Sequence, residues 1–252
     1  MIKTLTLIFL FLILPFKVFA NSIVADLSTD SIGINAGFNG ADLLLFGAIE
    51  GDNTDDIVVT VEGPKTEVTV YRKDYISGIW INKESVTFVN VPSFYYIATS
   101  NHVISIKNFD ALIKNNIGGA NLNLKILEDT KLTKKELNVW RNSLTRRMEN
   151  NGMWVSTTGL SAKPVEVIKN KLFRAPVTLP ASVLPGDYIV TVYQIRNGSI
   201  EAKETTSMVV RKTGFEASIY KFAHEYSALY GLFAILIAII AGYVAAQSFR
   251  KA

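Results

Sequence analysis

The stretch Leu184-Pro185-Gly186-Asp187-Tyr188-Ile189-Val190-Thr191-Val192-Tyr193 decides the fold. Pro185-Gly186-Asp187 is turn chemistry: proline presets φ, and glycine accepts backbone conformations that side chains resist. From Tyr188 to Tyr193 every residue is β-branched or aromatic, the composition of a strand. A tyrosine that opens a penultimate strand directly after such a turn fits the tyrosine corner of Greek-key sandwiches. Asn197-Gly198 follows as a hairpin turn, since both residues tolerate positive φ. Ser207 to Val210 reads as the strand after it, and Phe173 to Leu179, stopped by Pro180, as the strand before. These three segments are expected to be the closing E, F and G strands of an immunoglobulin-like sandwich.

Working outward, the chain is strand-like from Ile23 to about Ser100. Leu43 to Ile49 is a short apolar run, Ile57 to Val61 is β-branched throughout, and Thr66 to Tyr71 alternates polar and apolar. Ile76 to Ile81, Val86 to Val89 and Phe94 to Ala98 are further strand candidates. The strands from Ile32 to Tyr71 are expected on the A to C side of the sandwich. Between about 102 and 151 the period changes to helical. Ile106, Phe109, Leu112, Ile113 and Ile117 share one helix face. Thr133-Lys134-Lys135-Glu136 is a capping box, in which hydroxyl and carboxylate satisfy orphan amides at a helix start. Leu137, Trp140, Leu144 and Met148 then form an apolar stripe, expected to pack on the β part, and Gly152 is a C-terminal stop. β character returns at Met153 to Val155. The fold expected is mainly β: an immunoglobulin-like β-sandwich over residues 21–222 with a helical insertion at about 102–151. Two separate small domains is the other arrangement that the pattern allows.

The two ends place this region. Lys3, the apolar run Leu5 to Leu14, and Val18-Phe19-Ala20 compose a signal peptide over residues 1–20; retention as an uncleaved anchor is the other reading, prompted by Lys17. Tyr226 to Phe249 carries no charged residue and exceeds the ~20 apolar residues that a bilayer core requires. A transmembrane helix is therefore expected at 226–249, with Arg250 and Lys251 in a cytoplasmic tail at 250–252. The expected location is the bacterial inner membrane, single pass, with the bulk of the chain in the periplasm. Absence of cysteine excludes disulfides and thiolate chemistry. Of the formal charge of +4, Lys3 and Lys17 leave with a cleaved leader, which argues against a nucleic-acid partner.

No motif spells out a reaction, and no enzyme or cofactor is expected. His102 and His224 are too far apart in sequence to suggest a His-rich metal site. No G-x-S-x-G elbow, P-loop or G-x-G-x-x-G is present. Glu50, Asp52, Asp55 and Asp56 fit no EF-hand spacing and read as a solvated hairpin tip. The basic helix around Arg146 and Arg147 is either a solvated face or a contact for headgroups or an acidic partner. Trp80 with Phe94, Tyr95 and Tyr96 is the densest aromatic segment, read as core or as a docking surface. Asn197-Gly198-Ser199 matches a glycosylation sequon, although the turn accounts for it. Within the span, Ala234, Ala238, Gly242 and Ala246 recur every fourth residue, a face for a second helix or plain span composition.

Gly78-Ile79-Trp80-Ile81-Asn82, Val91-Pro92-Ser93-Phe94-Tyr95, Leu172-Phe173-Arg174-Ala175, Pro185-Gly186-Asp187-Tyr188 and Arg211-Lys212-Thr213-Gly214-Phe215-Glu216 together resemble a family of alphaproteobacterial transmembrane proteins of unknown function. Tyr230-Gly231 and Phe249-Arg250 fit the same pattern. The resemblance covers nearly the whole mature chain, which departs from it in favouring Lys and Asn where Arg is expected. It implies a signal peptide, an extracytoplasmic region and one C-terminal span, and it names a sulfite-exporter-like permease as a partner by association. The function expected is that of an accessory or interaction module for a membrane partner, held in the bilayer by its span, with self-association through the span as a further contact. A periplasmic module presenting a solute or ion to a transporter is the alternative.

Overall fold

The run that follows Pro185 becomes a strand paired on both of its edges. The structure, a computed structural model, describes residues 23–50, 55–100, 106–127, 132–155 and 165–250. The expected leader, Asp52 and His102 lie outside these residues. In chain order the first strands are β1 (Ile23–Leu27), β2 (Ser31–Ile34), β3 (Ala41–Ile49) and β4 (Asp56–Glu62). A long hairpin, β5 (Lys65–Ile76) and β6 (Ile79–Pro92), leads to β7 (Tyr95–Thr99). Helix α1 (Ile106–Lys114), the short β8 (Lys125–Ile126) and helix α2 (Lys134–Asn150) follow. Then come β9 (Glu166–Ile168), β10 (Leu172–Leu179), β11 (Gly186–Arg196) and β12 (Ser199–Lys212), and last α3 (Phe215–Glu225) and α4 (Ser227–Arg250).

Two sheets face each other, in the orders β1-β3-β10-β9 and β2-β12-β11-β4-β7. Their pairings are antiparallel except for β2, which runs parallel to β12. Strand β10 alternates out and in along its whole length, so Phe173, Ala175, Val177 and Leu179 enter the core while their neighbours face out. From the opposite sheet Val59, Val61, Tyr188, Val190, Val192 and Val210 meet them. Each such apolar side chain, once buried, stabilises by about 1.5–3 kcal/mol, which supports a fold without disulfides.

The sheet containing β11 is covered on its other face as well. Val58, Tyr95, Ile97 and Ile195 join Val70, Val86, Phe88, Leu112, Trp140, Leu144 and Met148 in a second core. Burial on both faces explains why β4 is apolar without alternation. The third sheet, β5-β6-β8, belongs to this second core. Two expectations are corrected here. Thr66 to Tyr71 does not join the A to C side, because β5 pairs with β6 and not with β4. Ile76 to Ile81 is not one strand: Ile76 ends β5 and Ile79 to Ile81 open β6, with the reversal between them at Ser77, φ 51°, and Gly78, φ 88°. The insertion thus has two parts: the hairpin before β7 and the helices after it.

Helix α2 starts on the capping box. Glu136 N donates to Thr133 Oγ1 at 3.3 Å, and Thr133 N donates to Glu136 Oε2 at 2.8 Å. It ends with Gly152 at φ 68°, where Met153 N reaches Met148 O at 3.0 Å. Trp140, Leu144 and Met148 are buried in the second core, between the hairpin and the sheet of β4, β7 and β11. The Arg72 guanidinium lies 4.7 Å above the Trp140 ring, and Arg147 Nη1 donates to Thr69 O at 2.8 Å.

Tyr188 lies in the core, and its hydroxyl donates to Leu184 O at 2.8 Å. Burial pushes its phenol up to about 12. Replacing Tyr188 with Phe removes this bond and keeps the ring. The expected loss is about 1 kcal/mol, read as a fall of about 2–4 °C in the Tm of the detergent-solubilised chain; an unchanged Tm would show that the bond adds nothing.

Candidate interaction surfaces

The acidic cluster is only in part solvated: Glu50 is exposed and Asp52 lies outside the described residues, but the other two carboxylates are not at a wet tip. Asp55 and Asp56 are buried. Arg196 clamps Asp55 through two bonds, Nε to Oδ1 at 2.6 Å and Nη2 to Oδ2 at 2.8 Å. Gln194 Nε2 donates to Asp55 Oδ2 at 2.7 Å and to Glu50 O at 3.0 Å. Asn108 Nδ2 donates to Asp56 Oδ2 at 2.5 Å, while Asn108 Oδ1 accepts from Gly198 N at 2.8 Å. The carboxylates fasten the start of β4 to the end of β11 and bring in α1 and the Asn197-Gly198 turn. The partners stand far along the chain, which is why local spacing misread these residues. Among the described residues, no group of three or more His, Asp or Glu side chains is arranged to hold a metal. Replacing Arg196 with Leu leaves Asp55 inside without its cation. A loss of about 2 kcal/mol is expected, toward the low side for a broken pair because the guanidinium is partly exposed. Chemical denaturation of the full chain measures it, and a midpoint equal to the parent's would refute the clamp.

The aromatic segment divides. Phe94, Tyr95 and Tyr96 are buried, which removes them from any docking surface. The Tyr95 hydroxyl accepts from Gly118 N at 2.8 Å, and the Tyr96 hydroxyl donates to Pro176 O at 2.7 Å. Burial raises both phenols, Tyr96 to about 12. Trp80 is 68% exposed and lies 5.2 Å from the Tyr75 ring. It belongs to a tip composed of Tyr75, Ile76, Ile79, Trp80 and Ile81, all exposed. Cross-strand pairing sets Tyr75 opposite Trp80 and Ile76 opposite Ile79. Two ion pairs rim this tip: Lys83 with Asp74 and Arg72 with Glu84, each at 2.7 Å. Lys83 holds the Asp74 carboxyl below its ordinary range through its hydrogen bond and charge. Arg146 and Arg147 are exposed on α2, but Arg147 is bound at Thr69, roughly 20 Å along the strand from Tyr75 at about 3.3 Å per residue. The structure therefore does not bring them to Trp80. The signal that locates the tip is Ser77-Gly78 between two isoleucines, a two-residue loop with glycine.

Helix α4 has no buried residue, and a stretch of 18 of its residues has a mean hydropathy of 2.3, so the helix is long and apolar enough to cross a membrane. Ala234, Ala238, Gly242 and Ala246 lie in one line along it, as the helical repeat requires. A Cβ added at Gly242 meets nothing within 4 Å, so among the described residues nothing occupies that space. Before the span, the expected β region to residue 222 ends early: β12 stops at Lys212, and α3 occupies Phe215–Glu225. His224 stacks on Tyr220 at 4.0 Å. A cleft of about 1000 Å³ separates α3 from the end of the paired sheets, lined by Asn35, Pro185, Arg211, Lys212, Tyr220 and Lys221 among others.

A family model described as Putative transmembrane protein (Alph_Pro_TM) matches residues 22–251. The chain belongs to this family. The match runs through the paired sheets, the hairpin, the helical insertion and the span, so Alph_Pro_TM treats anchor and β region as one sequence unit, as the resemblance implied. Its transmembrane description agrees with α4. Replacing Gly242 with Leu tests the small-residue face: loss of a crosslinked oligomer or partner in membranes is expected, and an unchanged crosslinking pattern would leave the face as composition only.

Proposed function

We propose that the chain is a non-catalytic accessory module, anchored by a single pass in the bacterial inner membrane, that binds an integral membrane partner through its β5–β6 tip. The bulk of the chain would stand in the periplasm with the C-terminus in the cytoplasm; Arg250 directly after the span supports that orientation. An immunoglobulin-like sandwich is supported by strand order. β1-β3-β10-β9 corresponds to A-B-E-D, and β12-β11-β4 to G-F-C. The Tyr188 bond to Leu184 has the place of a tyrosine corner.

The observation that carries the function is the tip itself. Apolar and aromatic side chains are exposed together there, at the end of a rigid hairpin, and contiguous apolar patches mark interaction sites. The rim of paired charges around an apolar centre is the anatomy of a protein interface. A sulfite-exporter-like permease is the partner that the resemblance offers. The alternative, a periplasmic module presenting a solute or ion to a transporter, draws support from the basic cleft beside Arg211, Lys212 and Lys221. Affinity purification in mild detergent with mass spectrometry separates the two. The parent chain is expected to retain an integral membrane protein, and Trp80→Ser to weaken that binding about 30-fold, the loss of one central anchor worth about 2 kcal/mol. Equal recovery by parent and variant would overturn the reading.

A further inference from the structure

We infer that α3 is an interfacial helix lying in the membrane surface on the side of the paired sheets, its partner the boundary between lipid headgroups and acyl chains. The inference rests on the α4 span and not on the partner proposed above. Phe215, Ile219 and Phe222, with Tyr226 at the helix end, follow one another at intervals of four, three and four, which places them on one helix face. Phe215 is 78% exposed, Ile219 39% and Tyr226 56%, and Phe222 is half-buried against the first turns of the span, so among the described residues only the start of the span covers part of the stripe.

The direction of the stripe follows from the elbow between the two helices. The helix breaks at Tyr226, at φ −127° and ψ 49°. In one straight helix Phe222 and Phe233 would be separated by about 16 Å along the axis, at 1.5 Å per residue. Their ring centroids are 6.1 Å apart, and Phe222 also lies 6.2 Å from Tyr230. α3 therefore bends away from the axis of the span, with Phe222 inside the bend. Because Phe222 is on the stripe, the stripe faces the same side as the first turns of the span, which is the bilayer. The other face is polar. Tyr220 and His224 stack there, Lys221 lies 3.8 Å from Glu225, and Tyr220 and Lys221 line the cleft below the paired sheets.

Lipid is the occupant that the geometry selects over a protein. The span begins one residue after Tyr226, so covalent continuity brings α3 to the interface whatever else binds. An amphipathic helix with an aromatic face sinks several ångströms into that layer, and tyrosine is favoured at this depth.

The chain has no cysteine, so single-cysteine spin labels can be placed without background. Full-length protein in vesicles of phosphatidylethanolamine with a minor fraction of phosphatidylglycerol would carry labels at Phe215→Cys, Ile219→Cys, Tyr220→Cys or Lys221→Cys, with Ile237→Cys as the reference inside the span. Collision with oxygen against collision with a water-soluble nickel chelate reads the depth of each. The expected result is oxygen-favoured collision at 215, 219 and 237, and chelate-favoured collision at 220 and 221. Chelate access at all four α3 positions, a steady gradient from 215 to 221, or protection of 215 and 219 from both reagents would each overturn the inference. Chelate access at 237 would remove the span, and the inference with it.

Discussion

The pairing of β11 on both of its edges is the constraint on which the rest of the molecule depends. One edge meets β12, with Gly186 opposite Val210, and the other meets β4, with Ile189 opposite Glu62. One face sends Tyr188, Val190 and Val192 into the first core, and Ile195 enters the second. A slip of one residue would turn Tyr188, Val190 and Val192 out of the first core and bring Asp187 and the exposed Ile189 into it, so the register is strongly specified. At its far end the same strand supplies Gln194 and Arg196 to Asp55. Two cores, two sheet edges and one buried carboxylate thus share a single strand.

That register also decides where the functional parts leave the fold. The end of β4, the start of β11 and the end of β12 coincide, because Glu62, Ile189 and Val210 pair within a few residues of one another. The β5–β6 hairpin springs from this end after Pro64, and the chain toward the anchor leaves from it after Lys212. The ring of Pro64 lies 2.9 Å from where a Cβ on Gly186 would stand, and Gly186 has φ 146°, so a side chain there would press on the root of the hairpin. The proposed docking tip and the membrane helices are therefore rooted at one end of the same rigid sheet.

What the sequence revealed was what local chemistry controls. The Tyr188 corner, the Asn197-Gly198 turn, the Thr133–Glu136 capping box and the apolar span each rest on residues within a few positions of one another. The hidden features depend on distant partners. Asp55 and Asp56 read as a wet loop because their partners, Arg196 and Asn108, stand 141 and 52 residues away. Thr66 to Tyr71 alternates as a half-buried strand should, yet periodicity does not say which sheet a strand joins. Phe94 to Tyr96 looks the same as core or as surface until burial is known. Ile76 to Ile81 reads as one strand because the turn residues Ser77 and Gly78, which divide it between β5 and β6, are flanked on both sides by isoleucine. α3 is a short amphipathic helix directly against a longer apolar run, and the span's signal hid its stripe.

On the proposed function, the exposed β5–β6 tip, and not the outer face of the paired sheets, meets an integral membrane partner. Photo-crosslinking in intact cells tests it most directly, with the photoreactive residue at position 80 and, as control, at the exposed Leu172 on the opposite sheet. One dominant adduct to a membrane protein is expected from position 80 and none from position 172. Adducts of equal yield from both positions, or none from position 80, would contradict it.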